Sequence, residues 1–128
     1  MFLHRLADAS AALATVLLHA GSRLEGFAVC HFGPDSGAGS GTCYVKFGLC
    51  RPGPQAPASF LRRRDACERL AGERRIEWLV AGANCARCPA CGAMLERAFR
   101  PRIFGVARHR DDDPGYNRDD VLTIDDWR

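Results

Sequence analysis

Three cysteines at regular spacing are the residues of this chain best suited to chemistry. Cys85, Cys88 and Cys91 form a Cys-x2-Cys-x2-Cys run, and Gly92 follows the last of them. Thiolates three residues apart can bind one metal ion, because the tight turn between them directs both sulfurs to the same side. Glycine tolerates the positive φ that such a turn often uses. The run therefore predicts a metal-binding turn.

The segment Cys85–Gly92 resembles a zinc-ribbon knuckle, and this resemblance implies a structural zinc ion. Such a zinc takes four ligands, so three cysteines leave one position to fill. His109 is the first choice, because it lies 18 residues past Cys91, far enough for a helix and a returning strand. Three other cysteines remain as alternatives: Cys43, Cys50 and Cys67.

Two further chemistries are open to the same thiols. They could be free or redox-active groups around the start of a helix. They could also bind an iron–sulfur cluster, but the ferredoxin pattern places a fourth cysteine four residues after the third, where this chain has Leu95. Isolated cysteines such as Cys30 are expected to be small buried apolar residues. A reducing cytoplasm makes a disulfide framework unlikely for this odd number of cysteines.

Arginines form a second region with functional potential. Lys46 is the only lysine, so 17 of the 18 basic residues are arginines, whose planar fork suits phosphates and carboxylates. We expect Arg62, Arg63 and Arg69 to face solvent, so that the cluster could contact several phosphates. A solvated helix face is the alternative. Six arginines make up the cluster: Arg62, Arg63, Arg64, Arg69, Arg74 and Arg75.

Charge divides the chain into two parts. Residues 1–110 carry 16 basic and 8 acidic side chains, a net charge of +8, whereas residues 111–128 carry 2 and 7, a net charge of −5. We therefore predict one basic domain over 1–110 and an acidic C-terminal tail over 111–128. The tail would screen the arginines, mimic nucleic-acid phosphate or simply solubilise the protein. Four apolar residues predict that part of it docks on the body: Val121, Leu122, Ile124 and Trp127.

The elements that must position these residues have the order α-β-β-α-β-α-β. This order predicts an α+β fold, a small antiparallel sheet of three to four strands with helices mainly on one face. The apolar stretch Ala9–Leu18 is too short to span a bilayer, so we expect a core helix and a cytoplasmic protein. The predicted elements are a helix through Leu3, Leu13 and Leu17 that stops at Gly21, strands at 27–32 and 42–49, a helix from Ser59 to Gly72, a strand at 75–80, a helix from Pro89 to Arg100 and a strand at Ile103–Ala107.

No catalytic constellation is apparent in the sequence, so we expect a protein that is not an enzyme. The four histidines have no nucleophile at a recognisable spacing. Cys30 and His31 are adjacent, but neighbours on a strand point to opposite faces and do not form a Cys–His pair. No small-molecule substrate and no membrane partner is indicated.

Two functional hypotheses follow. The first is a zinc-stabilised binding module that contacts nucleic acid or a nucleoprotein complex through its arginine face. The second starts from a general resemblance of Lys46–Arg75 to small phage and plasmid proteins of undefined role. Small proteins of mobile genetic elements include anti-defence inhibitors such as anti-CRISPR proteins. The resemblance implies an inhibitor that blocks a protein target with its acidic tail or its sheet face.

Overall fold

A computed structural model of the chain describes residues 4–7, 12–83, 88–105 and 121–124, and at residues 4–7 and 88 it describes the backbone alone. Within these residues one mixed sheet and two helices form an α+β fold, which confirms the predicted class at that level. The elements are β1 (His4–Ala7), β2 (Leu13–Ala20), β3 (Arg23–Gly33), β4 (Gly39–Cys50), α1 (Ala56–Glu73), β5 (Trp78–Ala81), α2 (Cys88–Glu96) and β6 (Thr123–Ile124).

The strands lie in the order β1-β2-β3-β4-β5, and the pairs β1–β2, β2–β3 and β3–β4 are antiparallel. β5 is parallel to β4, with Cys43 opposite Leu79, so the expectation of a purely antiparallel sheet is wrong. α1 is the crossover that parallel neighbours require. β6 pairs antiparallel with the other end of β4, with Ile124 opposite Gly48.

The N-terminal region is the main difference from the predicted elements. The helix expected through Leu13 and Leu17 is replaced by β1 and β2, and Leu3 lies outside the described residues. β2 is apolar at most positions, so helical and strand periodicities both fit it, and pairing with β3 decides the outcome. Gly21, with φ +60°, stands in the two-residue turn between β2 and β3 and does not end a helix.

Both helices differ from their predicted bounds. α1 begins before Ser59, since Pro57 has the fixed φ that suits a first helical turn, and it ends one residue after the predicted Gly72. α2 ends at Glu96, before the predicted Arg100, and Ala98 then adopts a left-handed φ of 69°. Among the described residues, neither helix has the length and apolar character needed to cross a bilayer.

One apolar core lies between α1 and the inner face of the sheet. Phe60, Cys67 and Leu70 of α1 are buried in it, as predicted for that helix face. Ala90 and Met94 bring α2 to the margin of the same core. Both described helices therefore lie on the inner side of the sheet.

Residues 121–124 also contribute to this core. Leu122 and Ile124 are buried, and the backbone amide of Cys50 donates a 3.4 Å hydrogen bond to the carbonyl of Leu122. The predicted docking residue Trp127 and the tail aspartates lie outside the described residues.

Candidate functional site

The described part of the cysteine run lies at the N-terminus of α2. Cys88 is the first residue of the helix and the half-buried Cys91 follows in its first turn. Residues three apart are neighbours on a helix surface, and the positive end of the helix dipole favours anionic groups there. Cys85 and His109, the other predicted zinc ligands, lie outside the described residues.

The alternative ligands Cys43, Cys50 and Cys67 are enclosed in the core between α1 and the sheet. Cys67 is in contact with Cys30, whose Sγ donates to the Cys67 Sγ at 3.9 Å. Within the described residues no three metal-binding side chains cluster. Their enclosure favours the interpretation of these thiols as core residues.

Arg64 does not belong to an exposed arginine surface, which corrects the sequence prediction. It is 8% exposed and donates from Nη1 to the carbonyl of Ala93 on α2 at 3.0 Å. Its Nη2 also pairs with Asp65 at 2.9 Å, and its Nε lies 3.9 Å from Glu68. Arg64 therefore attaches the cysteine-bearing helix to α1.

The prediction of a solvent-facing Arg63 is also wrong, because its side chain is fully buried. It lies three residues after Phe60 and four before Cys67, the spacing of one helix face. The charge of arginine suggested a solvent-facing side chain, whereas the position of Arg63 on α1 directs the side chain toward the sheet. The guanidinium lies 4.9 Å from the Phe60 ring centroid.

The other four predicted contact arginines lie closer to the surface. Arg69 and Arg75 are exposed. Arg62 is half-buried and donates to the Ser59 hydroxyl at 3.4 Å, and Arg74 stacks over the Phe32 ring at 4.6 Å. The predicted surface of six arginines is thus reduced to the C-terminal part of α1 and the residues after it.

A basic and aromatic segment after α2 was not predicted as a site. Residues 100–105 are irregular and exposed, and Ile103 and Phe104 are each 81% exposed, so the strand expected at Ile103–Ala107 is wrong where it is described. The ion pair between Arg97 and Glu68, at 2.9 Å, holds the chain before this segment beside α1. The sequence signal that could have identified this segment is the placement of Arg100 and Arg102 among apolar residues.

The outer face of the sheet, opposite the helices, is apolar. Besides the half-buried Thr15 and His31, strand register places on it six apolar residues of β2, β3 and β4, each half-buried or exposed: Leu13, Leu17, Phe27, Val29, Phe47 and Leu49. Phe27 and Phe47 are in ring contact at 5.7 Å. Trp78 and Val80 of β5 extend the same face, and Trp78 is 62% exposed.

This outer face was not identified as apolar from the sequence, although a signal was present. Strands that bury both faces are apolar at successive positions and not at alternate ones. β2 and β3 have this character, as in Phe27-Ala28-Val29-Cys30. Among the described residues, however, the helices cover only the inner face.

Comparison with known proteins gives no assignment. No family model, no curated protein and no solved structure matches the chain.

Proposed function

We propose that the protein is a non-enzymatic binding module that holds a protein partner on the outer face of its sheet. The supporting observations are the ring contact between Phe27 and Phe47 on this face and the exposure of Phe47 and Trp78. Monomeric proteins rarely expose extended apolar patches, and those that exist usually mark interaction sites. Aromatic side chains are also the usual anchors of protein interfaces. This proposal favours the second sequence hypothesis, an inhibitor that acts through its sheet face.

The dimensions and charge of the outer face indicate the chemistry of the partner. Strands of this length spaced as in ordinary sheets give a face of about 25 by 20 Å, or about 500 Å², against about 800 Å² per partner in a standard interface. Residues beside the face must therefore contribute, and exposed basic side chains stand on β4 at Lys46, directly after β4 at Arg51 and shortly before β5 at Arg75. A protein with an apolar centre and an acidic rim fits this surface.

A site-specific cross-link tests the proposal. A photoreactive phenylalanine analogue at position 47 should capture one defined protein in the native cell. The same analogue at position 104, equally apolar but away from the sheet face, should not. The purified partner should then lose affinity at least tenfold for Phe47→Ser and be unaffected by Phe104→Ser. Equal losses, or a cross-link only to a second copy of this chain, would refute the proposed partner class.

Nucleic-acid binding is the second candidate, favoured by the exposed segment 100–105. Arg100 and Arg102 could contact phosphates while Phe104 stacks on a base, as in proteins that bind single strands. Replacing Arg69 and Arg102 with glutamate should abolish retention on single-stranded DNA at low salt, whereas Lys46→Glu should have little effect. Equal retention of all three proteins would remove this candidate.

We also propose that zinc stabilises the module through Cys85, Cys88 and Cys91, with His109 as fourth ligand. Cys88 and Cys91 fit the role, since both residues belong to the first turn of α2 and thiolates are preferred zinc ligands. Zinc would supply structure and no chemical step. Purified protein should contain about one equivalent of zinc; Cys88→Ser should lose it and Cys30→Ala should retain it. Absence of zinc from protein purified without chelator would reject the site.

A further inference from the structure

Cys30 and Cys67 form a buried pair of thiols in the core between α1 and the sheet. Cys30 lies on the inner face of β3 and Cys67 on the buried face of α1, and the two residues are 0% and 1% exposed. The Cys30 Sγ donates to the Cys67 Sγ at 3.9 Å, and the two residues are 37 positions apart in the chain. The contact therefore joins the sheet to the helix through two sulfur atoms that can form a covalent bond.

Cys43 is a third thiol beside this pair, because it also shares a hydrogen bond with Cys30. In the ladder between β3 and β4, however, Cys43 is opposite Phe32, two residues along β3 from Cys30. Such diagonal neighbours have Cβ atoms about 7 Å apart, whereas a disulfide needs a Cβ separation of about 3.8 Å. The geometry of the ladder consequently leaves Cys67 as the bonding partner of Cys30.

We propose that Cys30 and Cys67 form an oxidation site, at which a peroxide converts the two thiols into a disulfide. This site is independent of the proposed function, because both residues belong to the inner face of the core and the partner is placed on the outer face of the sheet. Hydrogen bonds with Cys43 and Cys67, together with burial, raise the pKa of the Cys30 thiol. Cys30 therefore keeps its proton in the resting protein, which is the dithiol form.

Hydrogen peroxide balances the reaction. One thiol breaks the O–O bond, takes up one oxygen atom as a sulfenic acid and releases the other oxygen as water. The second thiol then attacks the sulfenic sulfur, forms the S–S bond and displaces the hydroxyl group as a second water. The two sulfurs together lose two electrons, which the two peroxide oxygens gain. A small, uncharged oxidant suits a pair of sulfurs that are enclosed in a core.

The disulfide would connect two layers of the fold. Its formation brings the sulfurs from 3.9 Å to about 2 Å, and each sulfur can turn about its own Cα–Cβ bond. A cross-link between residues far apart in sequence restricts the unfolded chain more than the folded one. We therefore expect the oxidised protein to unfold at a higher temperature than the reduced protein.

Peptide mapping of the full-length protein after treatment with hydrogen peroxide tests the site. The reaction is stopped with an alkylating reagent, and the protein is digested without reduction. Fragmentation of the linked peptide should place the bond between Cys30 and Cys67, and dithiothreitol should remove it. Cys43→Ala should retain both the bond and the rise in unfolding temperature, whereas Cys67→Ala should lack both.

The map of the wild-type protein decides the question even if a variant does not fold. A bond between Cys30 and Cys43 overturns the proposal, because the ladder would then not separate these two residues. An unlinked Cys30 at a peroxide concentration that oxidises the half-buried Cys91 overturns it as well. So does a bond that forms only in urea, since the folded core would then not hold the two sulfurs in a reactive arrangement.

Discussion

Two of the six arginines assigned to a binding surface are structural residues. Arg63 and Arg64 lie on the α1 face that also carries Phe60 and Cys67, and both are buried. Arg63 is enclosed against Gly48, and Arg64 connects α1 to α2 through its hydrogen bond to the carbonyl of Ala93. A cluster of like charges in sequence therefore does not define a charged surface until the helix is oriented.

Gly48→Ala should destabilise the protein by about 1–3 kcal/mol, the usual cost of overpacking. The added methyl group would lie 3.1 Å from the Arg63 Cζ, and Arg63 is too enclosed to move away. Urea denaturation measures the change. Gly72→Ala, on α1 with no atom within 4 Å of the new Cβ, should instead stabilise by about 0.5–1 kcal/mol. A Gly48→Ala protein as stable as wild type would contradict the packing described.

Arg64→Ala should cost about 1–3 kcal/mol, because it removes a hydrogen bond from a charged donor to the Ala93 carbonyl. It should also release α2, so that amide exchange in α2 accelerates more than exchange in α1. Arg69→Ala, five residues further along α1 and exposed, should change stability by no more than about 0.5 kcal/mol. Equal effects of the two substitutions would show that Arg64 does not attach α2.

At the scale of elements, the C-terminal strand extends the sheet beyond the basic domain predicted from charge. β6 has only two residues, yet its Ile124 and the preceding Leu122 enter the core beside β4. The alternation of apolar and acidic residues in the tail predicted docking. Its place, the free edge of β4 beyond β5, required the tertiary structure.

Ile124→Ala should lower the free energy of unfolding by about 2–5 kcal/mol, the range for large-to-small changes in a core. Ile124 is 2% exposed, so the cavity would be enclosed. Val121→Ala, at a half-buried position, should cost clearly less. Chemical denaturation of the two variants makes the comparison. If the two costs are similar, β6 does not dock as described.

At the scale of the whole molecule, three surfaces compete as the functional one. The outer sheet face is largely apolar, Arg69 and Arg102 are exposed basic residues, and the tail from 111 to 128 carries a net charge of −5. Asp120 and Asp125 flank the docked residues 121–124 in sequence, so we expect charge attraction between the tail aspartates and the basic body. Charge attraction between them weakens with salt, since the Debye length is about 10 Å at 0.1 M.

Replacing Asp119, Asp120, Asp125 and Asp126 with asparagine should raise affinity for single-stranded DNA severalfold at low salt. The substitutions remove acidic groups that screen the arginines and leave Leu122 and Ile124 in place. Fluorescence anisotropy with increasing salt gives the affinity, and the gain should disappear at high salt. Binding of a protein partner to the outer face should be much less salt-dependent. An unchanged DNA affinity would reject screening by the tail.

The sequence by itself determined those features that depend on local pattern. The two strands of the β3–β4 hairpin follow from their turn residues, and the buried face of α1 follows from Phe60, Cys67 and Leu70. A helix beginning at Pro89 was predicted, and α2 begins one residue earlier, at Cys88. These features needed only neighbours in the chain to be recognised.

The tertiary structure alone decided the features that depend on distant partners. β2 fits helix and strand equally by periodicity, and pairing with β3 selects the strand. The parallel alignment of β5 follows from the path of α1 over the sheet. Arg63 is buried because α1 presents it to Gly48, which has no side chain to exclude it. No described helix covers the outer face, because both pack on the other side of the sheet, and no local sequence pattern specifies that side.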